Sequence, residues 1–117
     1  MTAATHNITI EQGATFQLNL LWKGSNDVPI NLTGYTARMQ VRQKHTSDTA
    51  LLNLTTENGG IALGGAAGTI VVTAAATTTD DLPVKPAVYD LEVVATNGVV
   101  TRLIQGCVTV TPEVTRG

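Results

Sequence analysis

The stretch AVYDLEVVATNGVVTRLIQGCVTVT, Ala87 to Thr111, decides the fold. It reads as two β-strands joined at Asn97-Gly98, a dipeptide that favours a tight hairpin because both residues tolerate positive φ. Two registers are open. A two-residue turn sets Val93 opposite Arg102. A three-residue turn with a bulge sets Val93 opposite Leu103, which suits burial better and is the preferred reading. Gly106 interrupts the return strand and marks a second candidate bulge. Tyr89 stands near the start of the first strand, after a turn-rich corner. Immunoglobulin-like sandwiches often place there a tyrosine whose hydroxyl ties the corner back. Two residues on, where antibody domains carry a cysteine, stands Leu91, so an apolar pair takes the place of a disulfide.

Upstream the same period recurs. Ala14 to Lys23 alternates, with Phe16, Leu18, Leu20 and Trp22 on one face and Thr15, Gln17 and Asn19 on the other. Tyr35 to Arg42 turns Tyr35, Ala37, Met39 and Val41 inward. Shorter strands are expected at His6–Ile10, Ala50–Leu54, Ile61–Leu63 and Thr69–Ala74. The last two form a hairpin around the glycine-rich Gly64–Gly68. Turns fall at Glu11–Gly13, Gly24–Asp27 and Asn58–Gly60, and Lys44–Thr49 is a polar connection. Ala75–Leu82 is the one expected helix, capped by Thr77 or Thr78, with Asp80 or Asp81 near its positive end and Pro83 stopping it. Seven or eight short strands with regular turn signals predict an all-β, immunoglobulin-like antiparallel β-sandwich with at most one short helix. A single domain is expected over 1–117, with its core about 8–111 and a short tail at 112–117.

Composition agrees. With 117 residues, 43% hydrophobic and 14% charged, the chain suits one globular core rather than a disordered segment. Aromatic residues supply only 3%, leaving the core to Val, Leu, Ile and Ala. A net charge of −2 with dispersed Lys and Arg argues against nucleic acid, whose phosphates call for a basic patch. No apolar run approaches the ~18 residues of a membrane span, and no secretory signal opens the chain. A soluble protein beginning at its own Met1 is the expectation. The lone Cys107 permits no internal disulfide.

The residues give no chemical signature. His6 and His45 are isolated, and Cys107 has no nearby companion for a zinc site, so exposed histidines and a small buried thiol are expected. Gly59–Gly68 lacks the lysine and hydroxyl that end a phosphate loop. Asp80-Asp81 lacks the spaced oxygen ligands of a calcium loop and reads as helix capping. Asp90 and Glu92 share a strand face, where Arg102 of the partner strand can pair with one of them. Arg38, Arg42 and Lys44 form a modest basic stripe, read as solvated charge. Asn7, Asn31 and Asn53 each begin a glycosylation pattern, read as chance in a threonine-rich chain. No catalytic, cofactor or metal residues are assigned, and no enzyme activity or cofactor is expected.

Several segments together carry a resemblance. They are Pro29-Ile30-Asn31-Leu32-Thr33-Gly34-Tyr35-Thr36-Ala37-Arg38-Met39-Gln40-Val41-Arg42, then Tyr89-Asp90-Leu91-Glu92, then Gly98 through Arg102-Leu103, and Gly106-Cys107-Val108-Thr109-Val110 leading to Glu113-Val114-Thr115. Over about Ile8 to Thr115 the chain resembles small tailed-bacteriophage virion proteins. It is similar to the immunoglobulin-like N-terminal domain of phage baseplate upper proteins, without the helical and receptor-binding-protein-docking regions that follow it there.

The resemblance implies a non-enzymatic part, made in the host bacterial cytoplasm and located in the virion. It would assemble as a homo-oligomer with other virion structural proteins as a tail, baseplate or neck adaptor. A capsid decoration (cement) protein is the alternative. Contacts are expected at Thr5–Ile10, Cys107–Thr115 and Gln43–Thr49. Two further classes stay open. A carbohydrate or host-surface binding module would need Trp22 or Tyr35 exposed in a groove. An enzyme would need a pocket joining any two of Cys107, His45 and the acidic pairs.

Overall fold

The computed structural model describes residues 3–24 and 26–115, so expectations that touch Met1, Thr2, Ser25, Arg116 or Gly117 lie outside the described residues. The strands are β1 (Ala4–Thr5), β2 (Ile8–Glu11), β3 (Phe16–Leu21), β4 (Thr36–Arg42), β5 (Leu52–Thr55), β6 (Ile61–Leu63), β7 (Thr69–Ala74), β8 (Ala87–Val94) and β9 (Val100–Thr111). A four-residue helix, α1 (Ala76–Thr79), follows β7. One sheet runs β1-β9-β8-β4-β5 with β2 also on β9, and the other runs β3-β7-β6. The fold is an all-β sandwich. Set against the immunoglobulin plan, β3, β6 and β7 take the places of its second, fourth and fifth strands and β4, β8 and β9 those of its third, sixth and seventh, but the first strand, β1–β2, lies on β9 and not beside β3.

The pairing is not antiparallel throughout. β1 and β2 both run parallel to β9, Ala4 opposite Ile104 and Ile8 opposite Val108, in one continuous register. They are one N-terminal strand interrupted at His6-Asn7. The core lies between the sheets. Ala37, Met39 and Val41 of β4 and Tyr89, Leu91 and Val93 of β8 face Ile70, Val72 and Ala74 of β7, all buried. Alternation in β4, β7 and β8 is strict because each has a neighbour on both sides and must bury one face.

The organising hairpin is present with a different register. Ala95 N–H donates to Val99 and Gly98 N–H to Ala95, both at 2.9 Å, and only Gly98 has positive φ (88°). This is a three-residue loop, a type I turn closed by a left-handed glycine. It sets Val93 opposite Thr101, neither Arg102 nor Leu103. The bulge sits further down, between Leu91 and Glu92, where Leu103 is the extra residue of β9. From there parity flips: Ile104, Val108 and Val110 turn inward and Cys107 outward. Cys107 is therefore exposed, contrary to the buried thiol expected.

Gly106 is no bulge. It pairs in register with Tyr89, and a Cβ there would come within 2.4 Å of the His6 carbonyl oxygen. Tyr89 hydroxyl donates to that same carbonyl. The tyrosine thus ties down the N-terminal strand rather than its own corner, because a side chain missing at Gly106 leaves the path open.

The helix also differs. Ala75, extended at φ −66° and ψ 154°, starts it without a side-chain cap, and Asp80 lies at its C-terminal end. Thr77 and Thr78 do not cap, and Asp80 and Asp81 stand at the wrong end to do so. Thr79 holds the segment instead. Fully buried, it donates to Ala14 carbonyl oxygen at 2.7 Å, while Gln12 Nε2 donates to Leu82 at 3.0 Å.

Candidate functional site

The outer face of the larger sheet is its polar side. β4 places Arg38, Gln40 and Arg42 there, β8 places Asp90 and Glu92, and β9 places Arg102, Gln105 and Cys107. Period two allows this because each strand's alternate residues fill the core. With His45 from the β4–β5 connection these groups line a concavity of about 700 Å³.

Most of its charge is paired across strands. Arg38 stands opposite Glu92 and its Nε donates to Glu92 Oε1 at 2.9 Å. Arg102 Nε lies 3.3 Å from Asp90 Oδ2, a diagonal pair, since the residue opposite Asp90 is Gln105. The expected Arg102 ion pair is therefore present. Arg42 differs: its Nη1 donates to Ser47 carbonyl at 2.8 Å and its Nη2 to Gln40 Oε1 at 2.7 Å, both neutral acceptors. Three guanidinium groups against two carboxylates leave the concavity with excess positive charge. Burial, then the neighbouring Glu92, push the Asp90 carboxyl above its usual range against the opposing pull of Arg102, Arg38 and Arg42. Burial pushes the Tyr89 phenol up to about 12.

Cys107, His45 and the Asp90–Glu92 pair do share this concavity, the juxtaposition an enzyme reading requires. Among the described residues no hydrogen bond joins the His45 imidazole to the Cys107 thiol or to either carboxylate, whereas nucleophile activation needs a base in hydrogen-bond reach. No group of three metal-ligating side chains converges among the described residues. Trp22 and Tyr35 are half-buried against the core and do not line the concavity. The asparagines of the three glycosylation patterns each accept a hydrogen bond, only Asn31 from a near neighbour in sequence. Asn7 Oδ1 accepts from Cys107 N–H at 3.0 Å, Asn31 Oδ1 from Thr33 N–H at 3.0 Å, and Asn53 Oδ1 from Gln40 Nε2 at 3.4 Å. His6, Asp80 and Asp81 stand apart from the concavity.

No protein-family model matches the chain, and no curated protein matches it. The convergence of His45 and Cys107 had no local signal in the sequence. It depends on the β9 bulge and on a connection folding back over β4.

Proposed function

We propose that this protein is a non-enzymatic structural module of a tailed-phage virion, an adaptor of tail, baseplate or neck that assembles through strand edges and loops. The observation that carries the reading is the sheet layout. At the margins β3, β5 and β6 each have a strand neighbour on one side only among the described residues, leaving backbone donors and acceptors for another chain. The resemblance over Ile8–Thr115 supplies the phage context. Of the expected contact segments, Thr5–Ile10 and Cys107–Thr115 are paired with each other through β1, β2 and β9, so only their outer margins are free for partners.

Immunogold labelling of intact particles with antibody to the protein tests this. Label at the neck, tail or baseplate is the expected result. Label spread over the head assigns capsid decoration instead. Accessible epitopes with no label on any particle overturn a virion role and favour a ligand-binding use of the concave face.

A further inference from the structure

β3 is a longer margin than β5 or β6, six residues against four and three. Backbone hydrogen bonds fix which of its residues face outward. Trp22 N–H donates to Gly68 carbonyl at 2.9 Å, and β3 pairs with β7 from Phe16 opposite Ala74 to Leu21 opposite Thr69. On the far side of β7, Thr73 N–H donates to Gly60 and Gly64 N–H to Thr69, so alternate residues of β7 serve the two neighbours in turn. In an antiparallel ladder this parity directs the backbone groups of Phe16, Leu18 and Leu20 toward β7. Those of Gln17, Asn19 and Leu21 point away from it, to the side where no strand lies among the described residues.

This edge also lacks the usual protection. Phe16–Leu21 contains no proline, no charged residue and no bulge. Its inward side chains Phe16, Leu18 and Leu20, with Trp22, are only half-buried, though the residues facing them in β7 are fully buried. Leu21 is 51% exposed. The sandwich is left unfinished along one side.

We propose that β3 pairs antiparallel with β3 of a second copy of this chain about a twofold axis through Asn19, joining the two three-stranded sheets into one of six strands. This deepens the interaction-module reading, on which it rests, by naming one partner and one surface. The register follows from the residues. Centring on Asn19 sets Gln17 opposite the second copy's Leu21, and both of these pairs, with Asn19 on Asn19, have their hydrogen-bonding groups facing each other. The same register brings Leu18 onto Leu20 and Phe16 onto Trp22, so apolar meets apolar on the core side. Lys23 falls opposite Thr15, and no like charges are opposed. A one-residue slip would set core-side against solvent-side residues. A twofold contact also closes on itself, which prevents the open edge from propagating into a fibre.

One strand pair is a small contact beside the roughly 1,200–2,000 Å² of a stable interface, so a concentration-dependent dimer with a Kd at the micromolar end of the range is expected. Sedimentation of the purified protein from roughly 1 to 500 µM should show monomer giving way to dimer around that Kd. Asn19→Lys places two cations at the dyad and should hold the protein monomeric over the whole range. In a Cys107→Ser background, Asn19→Cys should form a disulfide dimer under mild oxidation. Its Cα atoms would lie about 5.5 Å apart, within disulfide reach. Gln17→Cys should not crosslink, because the offset separates its two copies by roughly 14 Å.

A protein monomeric throughout, a dimer indifferent to Asn19→Lys, or equal crosslinking at positions 17 and 19 each overturns the proposal. Should Asn19→Lys misfold, the crosslinking pair still decides. These readouts use purified protein alone. Loss of the virion reading would leave a dimer intact, and loss of the dimer would leave particle labelling intact.

Discussion

The Tyr89 hydroxyl donates to the carbonyl of His6, a residue 83 positions earlier, across the gap left by Gly106. One bond thereby joins the second-to-last strand to the first, over the strand that lies between them. Tyr89 as a whole is 4% exposed. Tyr89→Phe should cost about 1–2 kcal/mol, the worth of a partly buried hydrogen bond. It should also change the alkaline limb of stability. The folded phenol stays protonated to about 12 while the unfolded one ionises near 10, so the native state binds the extra proton and stability falls as pH rises above 10. Denaturant titrations of both proteins from pH 8 to 11 (an experimental range of about three units) should show that decline in the parent and lose Tyr89's share of it in the variant. Equal slopes would mean the phenol titrates alike in both states.

Gly106→Ala tests the same crossing from the other side. The added Cβ would lie 2.4 Å from the His6 carbonyl oxygen, which is backbone and cannot rotate away. The N-terminal strand must shift, and the Tyr89 bond with it. A loss of roughly 2–3 kcal/mol is expected, the range of overpacking against rigid structure. Combined with Tyr89→Phe the cost should be less than additive, since both changes release the same strand. Full additivity in thermal unfolding would show the two residues act separately.

How far the sequence reveals this arrangement depends on the range of each interaction. Ala37, Met39 and Val41 declare their face because β4 sits between two strands and its alternation is undisturbed. The β6–β7 hairpin is legible to the residue for a similar reason, with glycines bounding strands of plain apolar period. The bulge at Leu103 is not legible, because Arg102-Leu103-Ile104 reads equally well with either apolar residue inward. Which one is extra depends on packing against Leu91. From that one residue followed the outward turn of Cys107 and its gathering with His45, whereas the Val93 register is set by the three-residue loop at the hairpin tip. The partner of Tyr89 was hidden by distance along the chain. On the β3 edge the alternation is plain, but the absence of a second strand neighbour among the described residues is a property of topology alone.

The bulge has a direct chemical consequence at Cys107. Turned outward opposite Val88, its thiol needs no unfolding to react. A maleimide probe should label the native protein at a rate within about tenfold of the denatured chain, whereas a buried thiol would be protected by the full folding equilibrium. Cys107→Ser should shift stability by less than about 0.5 kcal/mol, as for surface changes generally. Strong native-state protection would mean that β9 lacks the bulge and that Cys107 faces the core.

Asp90 sets opposing influences against each other within the concavity. Burial and the nearby Glu92 raise its pKa, and Arg102, Arg38 and Arg42 lower it without reversing the shift. The folded carboxyl therefore holds its proton to higher pH than the unfolded one. In the interval between those two values the native state binds more protons, and stability falls as pH rises through it. Below the unfolded value Asp90 is neutral in both states and contributes no slope. Its side chain is 39% exposed, so solvent screens the effect and it is expected to be small. Asp90→Asn keeps the shape and removes the titration. Its stability relative to the parent should improve as pH rises from about 3.5 to about 6.5, an interval starting near the ordinary Asp value. Urea titrations of the two proteins across that interval give the difference directly. If the parent instead gains on the variant as pH rises, attraction by the three arginines outweighs burial, and the ionised Asp90 is a stabilising member of the face.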